Sequence, residues 1–116
     1  MLGVGEPVVA ATGKRYCEDV TLAFHNTGGS AVASGTVTFG THVIGALGVD
    51  WATFEAAEPL PAPIRAGARV TKTWTVCVDR FWEGALMLGA HLEHEVTVAY
   101  PGAEPVFIPR EGERAR

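Results

Sequence analysis

The ten residues Val20-Thr21-Leu22-Ala23-Phe24-His25-Asn26-Thr27-Gly28-Gly29 constrain the fold more than any other stretch of this chain. Val20, Leu22 and Phe24 alternate with Thr21, Ala23 and His25, the two-residue period of a strand with one buried face. Asn26-Thr27-Gly28-Gly29 then ends the run, because glycine accepts the positive φ that a sharp turn needs. Such a strand is not stable alone, so the rest of the chain must supply its neighbours and a facing layer.

Other segments carry the same period. In Arg69 to Val78, Val70, Trp74, Val76 and Val78 share one parity, while Thr71, Thr73, Thr75 and Cys77 take the other. Lys72 falls on the apolar parity, a misfit that a bulge, or a lysine stem running to a sheet edge, would accommodate. Ser34 to Ile44 alternates, and Leu86 to Val98 reads as the longest strand. Pro7 to Ala11 suits an edge strand, where a proline loses no ladder bond. Val49 to Phe54 is a short strand or loop, and Glu55 to Glu58 could form a helical turn. Pro59 to Ile64, with its three prolines, stays extended outside any central strand. Asp79 to Gly84 is a loop, and Val106 to Ile108 is a last short strand. About seven short strands at this spacing imply an all-β, antiparallel sandwich. It would span residues 1–109, with 110–116 a flexible, charged tail.

The 116 residues suit one domain, and a net charge of -4 argues against a nucleic-acid surface. No run of about 18 apolar residues suggests a membrane span. Met1 to Ala11 lacks the basic start and long apolar centre of an intact signal peptide. The chain is then either cytosolic or a mature fragment without its leader, and the cysteines favour the second.

Cys17 and Cys77 are the only cysteines, and they lie on the two clearest strands. If those strands are antiparallel neighbours, as strands B and E are in immunoglobulin-like sandwiches, pairing Phe24 with Val70 and Val20 with Trp74 joins their apolar faces. The same register sets Cys17 opposite Cys77, which predicts a cross-strand disulfide. The competing reading is a pair of buried free thiols acting as small apolar residues. A disulfide implies an oxidising compartment, hence a secreted or cell-envelope location.

Three features resemble the bacterial immunoglobulin-like domains of the cell-adhesion-related (CARDB-type) group. They are Val20-x-Leu22-x-Phe24-x-Asn26-Thr27-Gly28-Gly29, Gly67 before the Val70 to Val78 strand, and Gly89-x-His91 leading into Leu92 to Val98. The resemblance covers Tyr16 to Val98. It implies a non-catalytic module that spaces, presents or adheres at the cell exterior. The cysteine pair and the long Gly45 to Ile64 segment depart from the family pattern.

Candidate sites are few. Trp51, Phe81, Trp82, Tyr16 and Tyr100 could build an aromatic platform for sugar rings, with Asp50 and Asp79 supplying polar contacts. Core packing of these rings is the plainer reading. His91, Glu93 and Glu95 alternate on one strand face and could ligate a divalent metal, although solvent-facing polar residues alternate in the same way. His94 falls on the apolar parity and reads as a semi-buried histidine. Ser30 and Ser34 are the only serines, neither sits in a nucleophile motif, and no cofactor motif is present. The expectation is therefore a non-enzymatic, exported module for protein interaction, adhesion or spacing. Its contact region would be the edge Val106 to Ile108 or the segment Pro59 to Ile64, by strand addition. The alternatives are carbohydrate binding or a small metal or ligand site.

Overall fold

A computed structural model describes residues 1–114. Eight strands make up two antiparallel, four-stranded sheets. In the first, β3 (Cys17–Asn26) is flanked on one side by β1 (Leu2–Val4) and β2 (Val8–Ala11), and on the other by β6 (Arg69–Cys77). The second has the order β5 (Asp50–Pro59), β4 (Thr36–Ile44), β7 (His91–Ala99), β8 (Val106–Ile108). This is an immunoglobulin-like sandwich. It has one strand more than expected because the N-terminal edge lane is broken in two around Gly5 and Pro7, and Gly5 still donates to the Ala23 carbonyl.

The β3–β6 ladder has the expected register, with Phe24 opposite Val70, Val20 opposite Trp74 and Cys17 opposite Cys77. Cys17 and Cys77 are disulfide-bonded. Lys72 pairs with Leu22 without a bulge. β6 is an edge strand, so the lysine stem leaves the interior sideways and places Nζ 5.6 Å from the Trp74 ring centre. The main core is built from Val20, Leu22 and Phe24 of one sheet against Val37, Phe39, Val96 and Val98 of the other, with Trp74 between Phe24 and Phe39. A smaller cluster of Val43, Val78 and Leu92 fills the end nearest the disulfide, packed against Tyr16, Trp82 and Leu86.

Four expectations need correction. Glu55 to Glu58 is not a helical turn. It continues β5, because each residue finds a partner on β4, from Glu55 opposite Gly40 to Glu58 opposite Val37. The strand expected to start at Leu86 begins at His91. Before it, a 3-10 turn (Arg80–Trp82) and α1 (Glu83–Met87) close the end of the sandwich, and Gly89 at φ +111° turns the chain out of the helix. Pro59 to Ile64 is extended, but Leu60 and Ile64 are buried in the core, and Ile64 exchanges both backbone bonds with Val32. Its ladder groups are thus already occupied. Lastly, residues 110–114 are not a solvated tail. They run across β7, where Glu111–Arg114 forms the short helix α2 and Glu111 accepts from the His94 N–H, beyond the three pairs that β8 makes with β7. Ala115 and Arg116, the rest of that expected tail, lie outside the described residues.

Candidate functional site: an apolar pole

The two ends of the sandwich differ. At the disulfide end, the β4–β5 turn and the segment between β6 and β7 meet, and a Cβ on Gly89 would touch the Ala46 Cβ at 3.8 Å. Six of the nine exposed large apolar side chains among the described residues belong to this end: Leu47, Val49, Trp51, Phe81, Met87 and Leu88. Leu47 is 95% exposed, Leu88 88% and Phe81 80%, so they project as tips instead of lining a groove. Concentration at one end, and not exposure alone, sets this surface apart from the rest.

The local structure explains why these residues stand out. Asp79 caps the 3-10 turn by accepting from the Phe81 N–H at 2.8 Å, which holds Phe81 outward. Trp82 turns the other way, into the small core cluster. Trp51 stacks beside Trp82 with ring centres 6.4 Å apart and planes at 27°, while Phe81 meets Trp82 edge-on at 5.5 Å. Trp51 also lies over Gly45, where a Cβ would come within 2.6 Å of the indole. Of the five aromatics expected to form a platform, Trp51, Phe81 and Trp82 are brought together. Tyr16 is packed in the small core cluster, and Tyr100 packs on the main core and accepts from the Leu2 N–H. Asp50 is turned to His42, whose Nδ1 lies 2.5 Å from Oδ2, so it is not free to contact a ligand.

The metal candidates are split between two networks on the outer face of the second sheet. Glu93 lies 2.6 Å from His91 Nε2, accepts from Arg110 Nη1 at 2.6 Å and accepts from the Gly112 N–H at 2.9 Å. Glycine is needed at 112 for that approach, since a Cβ would lie 2.8 Å from the same carboxylate oxygen. Burial works to raise the Glu93 pKa, but these three hydrogen bonds and the Arg110 charge outweigh it and bring the group down to about 2. Glu95 turns instead to His42, 3.3 Å from Nε2. Among the described residues, no three His, Cys, Asp or Glu side chains are grouped to hold a metal ion.

A further polar group was legible only as the odd parity of His94. This imidazole is wholly buried between the sheets, with Nδ1 2.9 Å from Thr41 Oγ1 and Nε2 2.8 Å from Glu18 Oε1. Hydroxyl, imidazole and carboxylate are connected as in a nucleophilic relay, yet Thr41 and His94 have no exposed surface for a substrate to reach. The group separates the two apolar clusters and ties β3 of one sheet to β4 and β7 of the other. Comparison with protein-family models and with curated proteins gives no match, so fold and geometry carry the functional reading.

Proposed function

We propose that this chain is a non-catalytic, exported β-sandwich module that makes protein contacts at the cell exterior through its apolar pole. The observation that carries the reading is the gathering of Leu47, Val49, Trp51, Phe81, Met87 and Leu88 at one end. Protruding phenylalanine, tryptophan and methionine side chains are the kind that interfaces are enriched in. The disulfide supports an oxidising location. The resemblance to cell-adhesion-related bacterial domains points the same way. The carbohydrate reading is less favoured, because Tyr16 and Tyr100 pack on the core and Asp50 is turned to His42, so the expected platform is not assembled around Trp51.

The test places a photo-crosslinking residue at Phe81 in the chain produced by its own cells. The reading expects one dominant cross-linked protein in the envelope or medium, and its loss on Leu47→Asp with Leu88→Asp. Alkylation of two free thiols in material taken from those cells would remove the exported location. An undiminished cross-link in the double variant would remove the pole as contact surface.

A further inference from the structure

The two sheets are not in step. Trp74 of β6 packs on Phe39 of β4 at 5.4 Å, and Glu18 of β3 reaches His94 of β7. β6 thus lies over β4, and β5 projects beyond it with no strand opposite. Ala56 and Glu58 point to the interior side of the second sheet, as their partners Phe39 and Val37 do, yet both are exposed. One side of the sandwich is therefore a step: the free β5 edge on the overhanging layer and the free β6 edge on the recessed layer.

We propose that a second copy of this chain fills the step, each β5 edge pairing antiparallel with the β6 edge of the other copy about a two-fold axis along the strands. β5 and β6 run in opposite directions within one chain, so that axis makes the new pairing antiparallel at both contacts. It also seats the two overhanging β5 strands face to face, with Ala52, Phe54, Ala56 and Glu58 on the facing side, so each Glu58 needs the Lys72 beside it to offset the Glu58 across from it. Each three-lane sheet then continues into the four-lane sheet of the other copy. Four free edges are covered at once.

Charge favours this occupant over another. Edges commonly carry charge to repel neighbours. Here the signs differ: β5 carries Glu55 and Glu58, and β6 carries Arg69 and Lys72. Trp74 and Ala56 lie at one level through Phe39. The two-fold preserves level, so Ala56 falls opposite Trp74 of the second copy and Glu58 opposite its Lys72, both on the interior face. Pairing β5 with another β5 would instead bring like charges together.

Sedimentation velocity across a concentration series tests this, with Glu58→Lys and Lys72→Glu as the variants. Both positions are exposed, and circular dichroism checks that each variant folds. The wild-type chain is expected to dimerise. Each variant alone sets like charges against each other at both contacts and should weaken the dimer roughly tenfold or more. An equimolar mixture of the two restores opposite charges at both contacts and should recover the dimer. A wild-type chain that stays monomeric to about 1 mM overturns the proposal. So does a mixture no tighter than its components, or growth beyond dimers, which would mean an open head-to-tail contact. The apolar pole plays no part, so failure here leaves the functional reading standing, and the reverse.

Discussion

Cys17 stands directly opposite Cys77 at the end of nine consecutive β3–β6 pairs, and their bond closes a ladder that apolar pairing already aligns. Leu22 and Phe24 are buried on one strand, Trp74 and Val76 on the other. A one-residue slip would turn the slipping strand's set outward. The disulfide therefore stabilises more than it specifies. Its loop, with a sequence separation of 60, restricts the unfolded chain. Replacing both cysteines by alanine should lower unfolding free energy by about 4 kcal/mol in urea titration. Cross-strand NOEs between β3 and β6 should survive. Their loss would show that the sulfur link, and not apolar pairing, sets the register.

Glu93 gives the fold an acid-sensitive clamp. Its folded pKa of about 2 lies below the 4.5 of an unperturbed glutamate. A depressed pKa contributes stability that is complete above the unfolded value and is lost as pH falls from about 4.5 towards 2. The loss should be on the order of 3 kcal/mol, since the side chain is only 10% exposed. Urea titrations from pH 7 to below pH 3 should show this limb. Glu93→Gln should flatten it and release residues 110–114 from β7, seen as faster amide exchange at Gly112. An acid limb unchanged in Glu93→Gln would assign it to other carboxylates.

The strand ladder was legible because its information is local: two-residue alternation, glycine at the turns and cysteines on matching parity. Errors arose where a tertiary partner overrode a local preference. Glu55-Ala56-Ala57-Glu58 has a helical composition, and β4 holds it extended. Leu86-Met87-Leu88 fits a strand period, yet it belongs to a cap whose helix ends at Met87, just before the turn at Gly89. The clamp on Glu93 depends on a residue 17 positions away along the chain, and no periodicity reports such a pairing. Trp51 and Trp82 were named as candidates from composition. Their stacking needed the meeting of two turns that are remote in sequence.

His94 links the sheets through Glu18 and Thr41, so removing either partner leaves a buried polar atom unsatisfied. Thr41→Val should cost about 1–3 kcal/mol, although it keeps the side-chain shape. His94→Ala should cost more, adding a cavity to the lost bonds. Thr41→Val combined with His94→Leu replaces the buried polar pair by apolar groups and leaves the partly exposed Glu18 to water, so it should recover part of the loss. Thermal melts of the three variants check the order. With His94→Leu also measured alone, a double variant whose loss equals the sum of Thr41→Val and His94→Leu would show no coupling through this contact.

The pole predicts an asymmetry between stability and surface behaviour. Leu47, Phe81 and Leu88 bury almost nothing, so their removal should change unfolding free energy by no more than about 0.5 kcal/mol. Core leucines differ: Leu22 is 0% exposed, and Leu22→Ala should cost about 2–5 kcal/mol. A Leu47→Ser, Phe81→Ser, Leu88→Ser variant should therefore melt near the wild-type temperature while eluting earlier from a hydrophobic-interaction column. Trp51 and Trp82 report locally, because their stacked rings sit among the substituted tips. Their emission should shift, since Phe81→Ser removes the ring that meets Trp82 edge-on. A large drop in melting temperature would mean that the tips fold back onto the sandwich and are no free surface.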